Sequence, residues 1–264
     1  MTVLLLGGTG EARALATTLD AENIDFVSSL AGRVSRPRLP VGNVRVGGFG
    51  GIEGLAGYLR ENDITAVVDA THPFAMTISA NAVAACAAFG VPLLRLARPG
   101  WADAPCADQW IWVESQEEAA ETAARLGSRI LLTTGRQLLD LFVQPLKSCD
   151  VVARVVDLVD LDLPKSWQVV LDRGPYSFDG ERSLMRQHRI DVLVTKDSGG
   201  DYTRAKLDAA HELGVAVVIV RRPNWEIDEL GQLVSDVDAA AQWLRAPTRR
   251  EPQSRLRSRD VRRA

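Results

Sequence analysis

The chain has 264 residues, of which 46% are hydrophobic and 25% are charged. This composition is ordinary for one large or two average globular domains, and it excludes collagen, coiled coil and a wholly disordered chain. The net charge of −3 is an average: residues 245–264 carry eight arginines against two carboxylates, or +6, so residues 1–244 carry −9. An acidic body with its cations in a tail argues against a nucleic-acid partner.

Short apolar runs alternate with longer alanine-rich amphipathic stretches from the N-terminus onward. The predicted strands are 2–6, 24–29, 44–46, 65–69, 92–96 and 110–113. The predicted helices are 10–20, 52–61, 75–89 and 115–126. Strands that are apolar on both faces, with helices between them, are typical of a buried parallel sheet. The pattern predicts an α/β, doubly wound fold.

The same pattern then starts again. Further strands are predicted at 129–133, 150–156, 168–171, 191–195, 216–220 and 232–234. Four segments recur in the same order: LLLGGTG at 4–10 and LLTTGR at 131–136, DATHPFA at 69–75 and TKDSGGD at 195–201, PLLRLARP at 92–99 and AVVIVRRP at 216–223, and 112–126 and 233–245. We therefore predict two similar Rossmann-like halves with parallel sheets and a cleft between them. The alternative is that the repeat reflects only the general similarity of one strand–helix unit to another within any α/β sequence.

The domains predicted from this repeat are 1–105 and 106–244. They are followed by a tail, 245–264, in which the apolar periodicity stops and proline, serine and arginine prevail. Such a composition cannot bury a core, so the tail is predicted to be disordered. A role for it in recruiting an acidic partner is the alternative.

A glycine-rich turn lies between the first predicted strand and the first helix. Its residues are Gly7, Gly8, Thr9, Gly10 and Glu11. Glycines here let the backbone approach a pyrophosphate, whose charge is stabilised by the helix N-terminus. The match to G-x-G-x-x-G is incomplete, because Arg13 stands where the third glycine would be. The turn favours a dinucleotide site; a tight turn without a ligand is the alternative.

The end of the second strand lacks the acidic residue that NAD sites usually place there. It offers Ser28 and Ser29, and Arg33 follows. Hydroxyls and a guanidinium suit a 2′-phosphate, so NADPH is favoured over NADH, and Ser29 and Arg33 are assigned to the cofactor. A solvated loop arginine is the alternative for Arg33.

The loop after the fourth strand contains Thr71 and His72. Ligands of such folds bind outside the carboxyl ends of the strands. Thr71 is therefore assigned to the cofactor, and His72 to positioning a substrate or donating a proton. A histidine that only braces the loop is equally compatible with the sequence.

Loops of the second half carry cations, hydroxyls and backbone donors suited to an anion-rich ligand. The residues assigned to the substrate are Thr134, Arg136, Arg173, Tyr176, Ser177, Ser198, Gly199, Gly200 and Lys206. Tyr202 and Lys206 also satisfy the Y-x-x-x-K spacing of short-chain dehydrogenases. The serine expected upstream is absent, however, so Tyr202 is interpreted as a first-turn helix residue.

Seven motifs in this order resemble the precorrin-6A reductase family of cobalamin biosynthesis over residues 2–244. They are LLLGGTGEARALA at 4–16, SLAGR at 29–33, GGFGG at 47–51, DATHPFA at 69–75, TTGR at 133–136, RGPYS at 173–177 and TKDSGG at 195–200. The resemblance implies NADPH-dependent reduction of one macrocycle double bond, which converts precorrin-6A, or its cobalt form, to precorrin-6B.

The distribution of glycines and cations along the chain leads to a hypothesis of how the site is divided between the halves. The N-terminal domain would bind NADPH, and the C-terminal domain would bind the carboxylates of an anionic tetrapyrrole. His72 and Lys196 are the candidate catalytic residues for the proton. No metal site is expected in the protein, and the partners considered include neighbouring pathway enzymes that would receive the product.

Cys86, Cys106 and Cys149 are too far apart for a C-x-x-C pair, which argues for a reducing compartment and against structural zinc. With no signal-peptide pattern and no apolar run of about 18 residues, a cytoplasmic protein without a membrane partner is expected. A non-catalytic NADP-binding sensor is the alternative function, although it would not need a second anion-binding region. A protein that binds a nucleotide-like methyl donor is disfavoured by the missing acidic strand end.

Overall fold

The computed structural model describes residues 1–33, 37–158, 160–223 and 232–246. Its strands form two six-stranded sheets in which every pairing is parallel. The predicted α/β class with two similar halves is confirmed. The strands predicted from the apolar runs are all present, with ends that differ by at most one residue.

The elements of the first half begin at the N-terminus. Its strands are β1 (Thr2–Leu6), β2 (Asp25–Leu30), β3 (Asn43–Val46), β4 (Ile64–Asp69) and β5 (Leu93–Leu96). Its helices are α1 (Gly10–Ala21), α2 (Gly51–Glu61) and α3 (Met76–Phe89).

The remaining elements follow a connecting segment. The strands are β6 (Ile111–Val113), β7 (Arg129–Leu132), β8 (Asp150–Val155), β9 (Trp167–Leu171), β10 (Val192–Lys196), β11 (Ala216–Val220) and β12 (Gln232–Val234). The helices are α4 (Gln116–Leu126), α5 (Asp140–Val143), α6 (Phe178–Gln187), α7 (Ala205–Leu213) and α8 (Val237–Arg245).

The two sheets have equivalent strand orders, β12-β5-β4-β1-β2-β3 and β6-β11-β10-β7-β8-β9. Each strand of the first sheet has its counterpart six strands along the chain, except at one edge, where β6 and β12 have changed places. β6 follows β5 but pairs with β11, and β12 follows β11 but pairs with β5. The halves have therefore exchanged their edge strands.

This exchange corrects the location predicted for the end of the chain. Residues 232–244 were assigned to the second half, but β12 hydrogen-bonds along β5, and Ala240 and Leu244 of α8 enter the core beside α1. Arg245 was assigned to the tail, but it ends α8 and pairs with Glu22 at the end of α1. The boundary between 105 and 106 stays a prediction, and residues 247–264 lie outside the described residues.

Both faces of each sheet are covered. In β1, Leu5 packs against α1 and α8, while Leu4 packs on the other face against α2 and α3. Burying each such leucine stabilises the fold by roughly 1.5–3 kcal/mol. Each sheet is therefore packed on both faces, and the loops that follow its strands extend from the carboxyl edge of that core. Within the described residues, no helix is long and apolar enough to cross a bilayer.

Candidate functional site

A cavity of about 520 Å³ lies between the two halves, at the carboxyl ends of their strands. Its lining from the first half and the connecting segment is Gly7, Gly8, Thr9, Gly10, Glu11, Arg13, Leu30, Ala31, Gly32, Arg33, Pro37, Arg38, His72 and Arg98. Its lining from the second half is Val156, Arg173, Gly174, Tyr176, Tyr202 and Thr203. The predicted cleft is therefore present, and both predicted loop sets reach it.

The glycine turn forms one wall of this cavity. Thr9 caps α1 by accepting a hydrogen bond from the Ala12 amide at 3.1 Å, and its hydroxyl donates to the Ala70 carbonyl at 2.7 Å. Gly8 has φ of +112°, a conformation available to glycine, and a Cβ built there would project into open space. The turn thus leaves backbone amides and the positive end of the α1 dipole facing a volume that a phosphate could fill.

The end of β2 differs from the prediction in one respect. The hydroxyl of Ser29 accepts a hydrogen bond at 2.9 Å from Arg45, whose guanidinium lies 3.8 Å from the centre of the Phe49 ring. The Ser29 side chain is thus bonded within the first sheet, and it does not line the cavity. Ser28 is buried, and its Oγ has no hydrogen-bond partner among the described residues. Arg33 lies in the cavity lining, as a cofactor ligand requires.

Thr71 lies in a buried polar network beneath the site. Its amide and hydroxyl both donate to Asp69 Oδ1, at 3.0 and 2.7 Å, and its hydroxyl accepts from Arg95 at 3.0 Å. Arg95 also pairs with Asp69 at 2.5 Å. The Thr71 side chain therefore shapes the loop that carries His72 and does not line the cavity.

His72 is half-buried at the point where the halves meet. Its Nδ1 accepts a hydrogen bond from the Phe74 amide at 3.3 Å, which places the proton of the neutral ring on Nε2. Nε2 lies 3.1 Å from Ser198 Oγ, so the ring donates to that hydroxyl. Burial, reinforced by nearby cations of which Lys196 acts most strongly, lowers the pKa of His72 to about 3. The ring is therefore neutral at ordinary pH.

Lys196 ends β10 on the opposite side of the same junction. Its Nζ lies 5.1 Å from the centre of the Phe74 ring, within the range of a cation–π contact. Burial lowers the pKa of Lys196 to about 8. An ammonium with this pKa is charged at neutral pH and is a better acid than an exposed lysine.

The structure separates the predicted substrate residues into two groups. Arg173 and Tyr176 line the cavity, and Ser198 reaches it through its bond to His72. The others do not line it. Ser177 caps α6, and Arg136 donates a hydrogen bond to the carbonyl of Arg33. Thr134 and Lys206 are buried, Thr134 with no hydrogen-bond partner for its hydroxyl among the described residues, and Gly199 and Gly200 pack against Pro99 and Arg98.

Lys206 belongs to a buried charged cluster below the cavity wall. It lies 5.3 Å from the centre of the Trp101 ring and is 4% exposed. Burial is the main cause that lowers the pKa of Lys206 to about 7, with repulsion from Arg154 next. Arg154 pairs with Glu181 at 2.7 Å and stacks 3.8 Å from the centre of the Tyr176 ring. The cluster therefore supports Tyr176, and Lys206 is not positioned to touch a ligand in the cavity.

Sequence reasoning missed two contacts across the cleft. Arg38 donates to the Tyr202 hydroxyl at 3.0 Å, and Arg98 bonds both Glu11 and Ser198. Both arginines lie in loops or connecting segments, where neither periodicity nor motif spacing distinguishes them from solvated cations. The sequence offered one indication for Arg98, its place in the segment 92–99 that is repeated at 216–223. The repeat does not show which residues Arg98 contacts.

The comparisons with known proteins agree with this architecture. The sequence profile described as precorrin-6x reductase CbiJ/CobK matches residues 2–245. The chain belongs to this family. It is 49% identical over 249 residues to the precorrin-6A reductase of Rhodococcus erythropolis, covering 94% of this chain and 99% of the relative. It is 31% identical over 238 residues to the cobalt-precorrin-6A reductase of Salmonella typhimurium, covering 84% and 88%.

A solved structure supports the precorrin-6x reductase assignment at the level of the fold. The structure named CobK precorrin-6A reductase superposes with a TM-score of 0.86 at 36% sequence identity, covering 92% of this chain and 96% of that one. The resemblance seen in the seven motifs is therefore confirmed.

Proposed function

We propose that the protein reduces one double bond of precorrin-6A to give precorrin-6B, with NADPH as the hydride donor. The observation that carries the proposal is the cavity between the halves, which has a glycine turn on one wall and Arg173 and Tyr176 on the other. The family assignment supports a reductase, and the names of the relatives supply the substrate.

The residues present fit a nicotinamide dinucleotide. Gly8 opens the turn beside the N-terminus of α1, where a Cβ would occupy the cradle, and Gly7 approaches Ala12 closely. When bound, the cofactor supplies a hydride. The chain's contribution is to bind and orient it, by amide donors and the helix dipole on the phosphates. We assign Gly7, Gly8, Thr9, Gly10 and Arg33 to this contact.

The preference for NADPH follows from charge. Arg13, Arg33 and Arg38 border the cavity near the end of β2, and no carboxylate ends that strand. Guanidinium groups form strong charge-assisted bonds to phosphate, whereas a ribose diol is usually bound by a carboxylate. This arrangement favours a 2′-phosphate over a free 2′-hydroxyl.

The opposite wall suits the tetrapyrrole. Tyr176 presents a ring held from behind by Arg154, and Arg173 places a cation beside it. A flat macrocycle can pack on such a ring while its carboxylate arms pair with cations at the rim. Because the body of the protein is acidic, local cations rather than long-range attraction provide the binding.

Reduction of a carbon–carbon double bond needs a proton as well as a hydride. His72 touches the cavity but is neutral, so its role is to hold Ser198 by its Nε2 proton. Lys196 is the charged group of this junction; it stands behind the cavity lining, beside Phe74, and we assign the proton to its Nζ. His72 is thus a positioning residue in this mechanism, and Lys196 is the acid.

We also propose a cytoplasmic location and direct hand-over of the product to the next enzyme. The three cysteines, Cys86, Cys106 and Cys149, are free thiols, as is usual in a reducing compartment.

The decisive experiment mixes the purified full chain with precorrin-6A and NADPH. Turnover should oxidise one NADPH for each macrocycle reduced, so the NADPH absorbance should fall while the macrocycle spectrum shifts. Tight NADPH binding without turnover would instead favour a sensor. Metal-free and cobalt-loaded substrates assayed side by side decide which form the enzyme takes.

The first prediction concerns Arg33. Arg33→Ala should reduce the ratio of kcat/KM for NADPH to that for NADH by about 10-fold, since one charge-assisted phosphate contact contributes on the order of 1.5–3 kcal/mol. Arg60→Ala, an exposed arginine at the end of α2, is the matched control and should leave the ratio unchanged. An unchanged ratio in Arg33→Ala would show that the cofactor is placed wrongly.

A further inference from the structure

The guanidinium of Arg98 connects the two halves at the cavity wall. Arg98 lies in the segment between β5 and β6, and its side chain is 14% exposed. Its Nη1 donates to Glu11 Oε2 at 2.6 Å, at the start of α1. Its Nε donates to the carbonyl of Ser198 at 2.7 Å, in the loop after β10. The turn of one half and a loop of the other are thus connected through a single side chain.

The backbone around Arg98 is fixed on both sides. Arg222 donates to the Arg98 carbonyl at 3.0 Å and pairs with Asp197 at 3.2 Å. A Cβ at Gly200 would lie 2.6 Å from Arg98 Cδ, so the loop can approach this closely only because a glycine stands there. Arg98 is therefore held in place, and its bonds to Glu11 and Ser198 define one separation between the halves.

Glu11 makes this connection electrostatically significant. It lies in the first turn of α1, beside the amides that would receive the pyrophosphate. An unpaired carboxylate at this point would repel a phosphate bound at the same turn. The Arg98 guanidinium offsets that charge, so one residue both removes the repulsion and fixes the turn.

We propose that Arg98 is a positioning residue for the reduction, which holds the cofactor-binding turn at a fixed distance from the loop 196–200. The proposal rests on the proposed function. Hydride transfer requires the reacting carbons to be in near contact, and a displacement of about 1 Å can cost about 100-fold in rate. Arg38 with Tyr202 and His72 with Ser198 also span the cleft, but Arg98 is bonded to the first turn of α1, where the cofactor phosphates would lie.

The geometry predicts opposite effects on binding and on turnover when Glu11 is changed. Glu11→Gln breaks the strong ion pair but also removes the negative charge beside the phosphates. NADPH should therefore bind at least as tightly as it does to the wild type, while kcat falls about 10–100-fold. If Glu11 were itself a ligand of the cofactor, its replacement would weaken NADPH binding instead.

The arginine variant completes a double-mutant cycle. Arg98→Met should both lower kcat and weaken NADPH binding, because Glu11 is left uncompensated. In the double variant Glu11→Gln with Arg98→Met, NADPH affinity should return to near the wild-type value, while kcat stays as low as in the single variants. Glu22→Gln, which breaks the equivalent ion pair to Arg245 at the other end of α1, is the control and should change neither quantity.

The experiment measures NADPH binding by calorimetry, kcat with precorrin-6A, and hydrogen exchange of the peptide covering 196–200. Exchange should be faster in Glu11→Gln and Arg98→Met than in the wild type and in Glu22→Gln, whether or not the protein turns over. Unchanged kcat and exchange in Glu11→Gln, or a loss of NADPH affinity in it, overturns the proposal. Wild-type protein that binds NADPH without turnover refutes the proposed function instead. The hydrogen-exchange data then test on their own whether Arg98 holds the loop 196–200 to the turn.

Discussion

The two residues with candidate acid–base roles have different protonation states although they lie at one junction. His72 is neutral because burial and the surrounding cations disfavour a further positive charge. Lys196 remains largely protonated at neutral pH, since its pKa is lowered only to about 8. Sequence position brought both to the carboxyl ends of their strands, but it could not order their pKa values, because these depend on how deeply each side chain is buried in the fold and, for His72, also on the nearby cations.

This difference predicts the pH dependence of turnover. The ammonium form of Lys196 is the acid, so kcat should be constant below its pKa and fall above about pH 8 as the proton is lost. Lys196→Met should lower kcat by about 100-fold and remove the alkaline limb. His72→Gln should lower kcat but retain the limb. The measurement is a pH profile of kcat at saturating substrate, and a limb that survives in Lys196→Met would assign the proton elsewhere.

Lys206 supports a prediction about stability. Its folded pKa, about 7, is below the value of an unfolded lysine, so between about pH 7 and 10 the unfolded chain binds more protons than the folded one. The free energy of unfolding should therefore rise with pH across this window, and the penalty is greatest below pH 7.

Replacing this side chain should reveal the penalty directly. Lys206→Met fills the same space without a charge and should unfold at a higher urea concentration than the wild type at pH 6, by an amount that shrinks toward pH 10. Lys147→Met, an exposed lysine, is the control. A Lys206→Met variant that is less stable than the wild type at pH 6 would show that the attraction of Lys206 to Glu181 and to the Trp101 ring outweighs the cost of burying its charge.

At the scale of elements, the sequence predicted what local pattern determines. Runs that are apolar on both faces predicted every strand, and the order of the repeated segments predicted two equivalent sheets. The partner of an edge strand is not a local property, however. β12 has the same short apolar pattern whether it pairs with β11 or with β5, and only the path of the connecting segments decides between them.

The candidate site was predictable to the same extent. The turn at 7–11 and the loops carrying His72 and Arg173 were recognisable from glycine spacing and strand ends, and all three reach the cavity. Ser29 and Lys206 were both assigned to a ligand, but neither lines the cavity: Ser29 is hydrogen-bonded to Arg45 of β3, and Lys206 is buried in α7. Distinguishing a brace from a ligand requires the neighbouring elements, which lie far along the chain.

At the scale of the whole molecule, the exchanged strands join the halves at two places. The chain crosses to the second sheet before β6 and returns to the first sheet before β12, so each sheet is completed by an edge strand that follows one of the two crossings. The cleft is thus built by the same connections that hold Arg98, and its width is linked to the integrity of both sheets. Separation of the halves would expose the edges of β5 and β11 to unwanted pairing.

Two truncations test this view. Deleting 247–264 removes seven arginines and two carboxylates that the proposed chemistry does not use, and should leave turnover and Tm nearly unchanged. Deleting 232–264 also removes β12 and α8, which uncovers β5 and takes Leu244 from the core beside α1. The loss should be at least about 3 kcal/mol in the free energy of unfolding, with aggregation through the free edge. Urea unfolding and turnover are measured for both variants. If the 232–264 deletion is as stable as the 247–264 deletion, β12 is dispensable for stability. Loss of turnover in the 247–264 deletion would give the basic tail a part in the reaction.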